Sequence, residues 1–377
     1  MHKEQAENQW QGETREAPPM AVSQSYALEQ LREDLLPLGQ HDISTARDLP
    51  ETTLTRQRAS FSAQSLDQDE CLPGKLLHIQ DADSALSAQN SVLYLAYGSN
   101  LASKTFLGMR GIKPLSQLNV VVPELRLTFD LPGLPYIEPC FAGTHFRSNP
   151  TTYDKASDAP NPSEKHSLLQ GRDSDQDRYQ GPVVGVVYEV TLTDYAKIIA
   201  TEGGGRGYKD ITVTCYPFPK DYDPSDPIPE RPETQPIKAH TLLSPAGITS
   251  LKQLQPKSNP GSLPNARRAQ PSARYLKLIT TGAAEHNLPF AYREYLAQIQ
   301  PYRITSVRQR IGMVALLITW APPLLLVMKL SRVFAHPDGR SPEWIGRFAD
   351  IVTNGMWSSY DNFFVHIFGD GEMSAER

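Results

Sequence analysis

Two short stretches carry residue types that can do chemistry. The first, Tyr97-Gly98-Ser99-Asn100-Leu101, ends the apolar run "VLYLAY". Glycine permits a tight turn and a close approach to the backbone. Ser99 or Asn100 is a good N-cap for a helix through "LASKTFLGM". A strand, a turn and a helix start leave backbone N–H groups pointing outward, a setting for a carboxylate or a developing oxyanion. An ordinary capped turn has the same composition. The second stretch, "TLTDYAKIIATEGGGRGY", reads as a short helix ended by glycines. Tyr195, Ile198, Ile199 and Glu202 fall on one helical face, so Glu202 lies on the apolar stripe. A carboxylate there tends to a raised pKa, which suits proton transfer near neutral pH. Glu202 can equally end the helix or pair with Arg206.

Other chemistries find less support. Cys71, Cys140 and Cys215 are odd in number and widely spaced, with no CxxC, which fits a reducing compartment. The nine histidines lack metal-ligand spacing, so no metal is expected, and His145 and His286 read as structural or solvated. Ser99 invites a serine-nucleophile reading for acyl transfer or hydrolysis, but there is no GxSxG elbow and no usable His and Asp. The net charge of −5 argues against a nucleic-acid partner.

The elements that must position these residues read as follows. Only 39 % of the 377 residues are hydrophobic and 32 are proline, so a globular core shares the chain with polar segments. Residues 1–90 read as a disordered polar arm without a signal or transit peptide. An ordered domain is expected over 91–302, with loop insertions near 148–182, 217–236 and 252–271. Strands are predicted in "SVLYLAYG", "LNVVVPELRLTFD", "GPVVGVVYEVTL", "DITVTCYPF" and "IKAHTLL". Helices are predicted in "TDYAKIIAT", "SARYLKLITTGAAEHN" and "PFAYREYLAQIQ". Strands dominate without parallel βαβ alternation, which points to an α+β fold on a small mixed or antiparallel sheet, closed into a barrel with flanking helices.

Taken in order, "YLAYGSNL", "GPVVGVVYEVT", "TEGGGRGY" and "ARYLKLITTGAAEHNLPFAYREYLAQIQPY" resemble the gamma-glutamylcyclotransferase family, over about half of the chain. The resemblance implies a small β-barrel whose Y-G-S-N turn and catalytic glutamate, here Glu202, face each other across a cavity. It implies intramolecular attack of the α-amine of a γ-glutamyl group on its γ-carbonyl, giving 5-oxoproline and a free amine. No cofactor is needed. Tyr97, Gly98, Ser99, Asn100 and Leu101 would grip the γ-glutamyl group or the oxyanion, and Tyr208 and Tyr275 match tyrosines that line the family site. The implied partner is a γ-glutamyl amino acid, peptide or glutathione-derived adduct; some fungal members act on glutathione adducts of thiol-bearing metabolites. The rival reading is a non-catalytic binding module with the same cavity. "EGGGRGY" is richer in glycine than the family pattern, and the insertions flank the region that caps the cavity.

Beyond the domain, Ile311 to Met328 carries no charge, near the ~17–25 residues of a spanning helix. Residues 303–330 are therefore expected to be transmembrane or membrane-associated, with Pro322-Pro323 kinking the helix or folding it into a shallow hairpin. Residues 331–377 read as an amphipathic tail. The expected location is a membrane with the enzyme domain facing the cytoplasm; the alternative is a soluble cytoplasmic protein. The sequence is silent on oligomeric state.

Overall fold

The computed structural model describes residues 49–61, 91–147, 181–201, 209–243, 269–334 and 341–374. Five strands close a barrel in the order β1 (Ser91–Ala96), β5 (Val183–Thr191), β2 (Ser116–Val122), β6 (Lys209–Pro217), β7 (Ile237–Leu243). All neighbours run antiparallel except β1 and β7, which meet in a parallel seam at Tyr94↔His240. Val92 to Tyr97 and Val183 to Tyr188, except Gly185, form a wholly buried apolar pair, as continuous hydrophobic runs at the centre of a sheet should. Gly185 is required there because a Cβ would stand 2.5 Å from the Ala96 carbonyl oxygen.

The sequence element "LNVVVPELRLTFD" is split. Pro123 and Glu124 turn the chain between β2 and β3 (Leu125–Leu134), and β3 pairs with β4 (Glu138–Phe146) as a separate two-stranded hairpin. The stretch β4, "EPCFAGTHF", was not predicted as a strand. Helix α2 (Leu192–Thr201) follows β5, and α3 (Ala273–Glu285) and α4 (Phe290–Gln298) follow the barrel. The proline-rich stretch 217–236 forms irregular chain after β6, and its Pro224 carbonyl accepts the Phe290 N–H at the start of α4.

Two further findings differ from expectation. Within the arm read as disordered, residues 49–61 are ordered and carry helix α1 (Leu54–Ala59), N-capped by Thr53. Thr52 N–H donates to Gln117, and the Arg56 guanidinium donates to Glu189 and to the Ser91 carbonyl. A half-buried carboxylate on β5 thus gives this polar segment a specific dock at the end of the barrel where β1 begins. The stretch after Asn100 is also not the regular helix expected. It is a 3-10 turn at Ser99–Leu101 followed by a wide π-type turn at Lys104–Met109.

The C-terminal part is an α-helical hairpin. Helix α5 (Val307–Val333) runs unbroken through Pro322-Pro323, so the proline pair neither stops it nor folds it back. It begins with a capping box between Ser306 and Gln309. Helix α6 (Glu343–Ser359) continues through a π turn into α7 (Val365–Phe368) and buries Ile345, Val352, Met356 and Trp357. Its Gly355 lets the Trp320 indole of α5 lie against its backbone, and Trp320 Nε1 donates to Ser359. Among the described residues one helix segment, Val307–Ser331, is long and apolar enough to cross a membrane, with a mean hydropathy of 2.1 and only 22 % of its apolar stretch buried.

Candidate active site

The turn that ends β1 is fixed in place by the far end of α3. Leu101 and Ala102 N–H groups close onto the Gly98 and Ser99 carbonyls. Gly98 and Ser99 N–H groups stand ahead of that first turn, where a helical segment has no internal acceptor to offer. Gly282 allows α3 to touch this backbone directly, since a Cβ would lie 2.4 Å from the Leu101 carbonyl carbon. Glu285 accepts the Ser103 N–H at 2.7 Å. His286 Nε2 lies 3.1 Å from the Leu101 carbonyl oxygen and 2.7 Å from the Tyr188 hydroxyl. A carbonyl only accepts, so this nitrogen carries the hydrogen. Burial pushes the His286 pKa below its ordinary value, against the opposing pull of the Leu101 carbonyl and Glu285. The turn is therefore held by a neutral imidazole. His286, read from sequence as structural or solvated, is a buried brace of the turn.

Asn100 does not cap a helix. Its amide donates to the Tyr94 hydroxyl at 2.8 Å, beneath the turn, and its side chain is buried with those of Tyr97, Ser99 and Leu101. Among the described residues no imidazole or carboxylate is bonded to the Ser99 hydroxyl, the arrangement a serine nucleophile needs.

Tyr275 reaches the turn from the first part of α3. A Cβ on Gly98 would sit 3.3 Å from the Tyr275 hydroxyl and 3.5 Å from the Ala142 Cβ. The Tyr275 hydroxyl accepts the Ala142 N–H at 3.1 Å, and the Phe141 ring stands edge-on to the Tyr275 ring with centroids 5.0 Å apart. Gly98, Tyr275 and β4 thus meet at one point. The predicted residues Tyr97 to Leu101 and Tyr275 are brought together.

Glu202 and Tyr208 lie outside the described residues, but their anchors do not. Helix α2 buries Tyr195, Ile198 and Ile199, the stripe that the spacing predicted. It ends at Thr201, whose hydroxyl accepts from Arg110. Strand β6 resumes at Lys209. The register Lys209↔Leu243, combined with Tyr94↔His240, sets Lys209 level with Tyr97. The barrel end at which β1 finishes is thus the end at which β6 begins. Tyr195 donates to Asp210 Oδ2 at 2.7 Å, and His240 Nδ1 lies 3.0 Å from Asp210 Oδ1. This Tyr-Asp-His cluster joins α2 to β6 across the 202–208 connection. Sequence reading missed Asp210 and His240, whose only signal is alternation within two strands.

The chain is similar to several known proteins. A family model described as the AclK C-terminal domain matches residues 306–367, the α5–α7 hairpin. The chain is 34 % identical over 282 residues to "Gamma-glutamyl cyclotransferase gliK" of Aspergillus fumigatus, covering 74 % of this chain and 89 % of that protein. It is 29 % identical over 287 residues to "Gamma-glutamyl cyclotransferase aclK" of Aspergillus oryzae, covering 74 % and 90 %. A solved structure described as "Gamma-glutamyl cyclotransferase" shares 20 % identity, covers 60 % of this chain and 99 % of its own, and superposes with a TM-score of 0.34.

Proposed function

The chain belongs to the gamma-glutamyl cyclotransferase family, and we propose that it cyclises a γ-glutamyl amino acid, peptide or glutathione-derived adduct, with Glu202 as general acid and base. The α-ammonium gives a proton to Glu202, and the free amine attacks the γ-carbonyl carbon. Backbone N–H groups of the Gly98–Ser99 turn hold the tetrahedral oxyanion. The bond to the leaving nitrogen breaks as that nitrogen takes the proton back from Glu202; the carboxylate so freed takes the extra proton of the ring nitrogen and passes it to the departing amine, releasing 5-oxoproline and the amine as its ammonium. Both reacting groups belong to one molecule, so holding it curled supplies much of the rate, and no second substrate or cofactor enters. Tyr208 and Tyr275 grip the substrate beside Tyr97, Asn100 and Leu101.

The observation that carries this reading is the coincidence, at one barrel end, of the β1 turn, Tyr275 and Lys209, where the chain resumes after the segment bearing Glu202. The test is 5-oxoproline release by the full chain from γ-glutamyl amino acids, glutathione and a bulkier glutathione adduct, beside Glu202→Gln. The reading requires release by the wild type and its loss in the variant. Equal activity in both removes Glu202 from the mechanism. Ligand binding without turnover by the wild type points to a binding module.

The same proposal sets the enzyme on the cytoplasmic face of a membrane. Ile311, Val314, Ile318, Leu325 and Leu326 are exposed along α5, bounded by Arg308, Arg310 and Lys329. Helix α6 packs beside α5 and turns Arg347 and Asn354 outward, as the π turn after it does Asp361, groups that a hydrocarbon layer does not solvate. The hairpin accordingly lies on the surface rather than across it.

A further inference from the structure

The point where Tyr275 meets Ala142 joins two elements, the β3–β4 hairpin and α3, which the Arg274–Glu138 ion pair also ties together. Both are held from behind by the same short piece of chain. After α7 the backbone reverses at Gly369 (φ 87), and residues 369–374 return to the barrel domain. Tyr136, at the hairpin turn, has a left-handed backbone (φ 66) and is 2 % exposed. Its N–H donates to the Gly371 carbonyl at 2.7 Å and its hydroxyl to the Gly369 carbonyl at 2.8 Å. Its ring stands edge-on to Tyr360, and Gly371 lies so flat against it that a Cβ would be 2.9 Å away.

The same segment holds the approach to α3. Gln270 N–H donates to the Glu372 carbonyl at 2.9 Å, and Ser374 N–H donates to Gln270 Oε1 at 2.8 Å. Two residues later Ser272 caps α3 by accepting the Tyr275 N–H. Asp370 organises the segment. Its Oδ1 accepts the Glu372 and Met373 N–H groups, while its carbonyl accepts from Gln309 of α5 and from Tyr302.

We propose that residues 369–374 are a clasp that holds the Tyr275–Ala142 wall of the active site, with Tyr136 and Asp370 as positioning residues for the cyclisation. This rests on the function proposed above. The helical hairpin is then a working part of the enzyme domain: it presents the clasp, and its own docking on a surface is a separate property.

The test uses the full chain with Tyr136→Phe, Asp370→Ala and, as control, Arg347→Ala on the exposed face of α6. The first readout is hydrogen exchange at the Phe141 and Ala142 amides. Exchange about tenfold faster in Tyr136→Phe and Asp370→Ala is expected, the equivalent of one ordinary hydrogen bond, with the control unchanged. The second is steady-state 5-oxoproline release well below the unfolding midpoint. A KM raised about tenfold with kcat within about twofold is expected, since a loosened wall weakens substrate grip without removing the acid-base group. Unchanged exchange at Ala142 overturns the clasp whatever the activity does. Faster exchange with wild-type KM leaves the clasp as a structural tie and overturns the positioning role. A wild type that releases no 5-oxoproline sinks the proposed function instead, and the exchange result still decides whether the clasp exists.

Discussion

At the scale of residues, Tyr275 shows how one side chain serves both stability and chemistry. Its hydroxyl is the acceptor for a buried backbone N–H, that of Ala142, and it lies against the only position in the turn without a side chain, Gly98. Tyr275→Phe is expected to cost about 1–3 kcal/mol in denaturant unfolding, because a buried donor loses its acceptor. It is also expected to lower kcat/KM for any γ-glutamyl substrate. A stability loss with unchanged kcat/KM makes Tyr275 a core residue and nothing more. Deduction from sequence alone reached Gly98 through its turn chemistry, but Tyr275 only through resemblance to a family. A tyrosine at helical spacing in "ARYLKLITT" has the same signature whether its hydroxyl meets a backbone amide or a ligand.

At the scale of elements, the end of α3 is the seat of the β1 turn, and its grip depends on pH. Burial holds the His286 pKa below its ordinary value of 6.5. The unfolded chain therefore binds this proton at a higher pH than the folded one. Stability falls as the pH drops below about 6.5 and is insensitive to this group above it. The melting temperature of the wild type is expected to fall more between pH 7 and pH 5.5 than that of His286→Gln, which keeps a donor for Leu101 but does not titrate. Parallel pH curves for the two proteins exclude His286 as the source. The barrel strands were legible because β-branched runs between turn residues leave little else to form, and "IKAHTLL" is found over the same residues that were read. Strand β4 was not, because it carries Pro139, Cys140 and Gly143 and is buried on both sides over Glu138 to Thr144, so no alternation marks it. The turn after Asn100 was misread as a helix because its polar groups have partners elsewhere. Asn100 is committed to Tyr94, the Leu101 carbonyl to His286 and the Ser103 N–H to Glu285. No local pattern announces the last two partners, more than 180 residues away.

At the scale of the whole molecule, the exposed face of α5 predicts a lipid contact that leaves the barrel untouched. The full chain is expected to float with vesicles of mixed zwitterionic and anionic lipid, and a variant carrying Ile311→Asp, Ile318→Asp and Leu325→Asp is expected to stay in the dense fraction. All three positions are about half exposed or more, so the variant should melt like the wild type. A wild type that does not float overturns the lipid contact. The contact between Tyr136 and Gly369 has a different consequence, in time rather than space. The two residues are 233 positions apart. At a translation rate of about 5–20 residues per second, Gly369 is made roughly 12–47 s after Tyr136. Throughout that interval the nascent chain carries all of its barrel strands or is completing them, while the aromatic tip of the β3–β4 hairpin has no carbonyl to bond and no glycine to lie against. An early hairpin therefore waits for a segment translated much later to cover its aromatic ring.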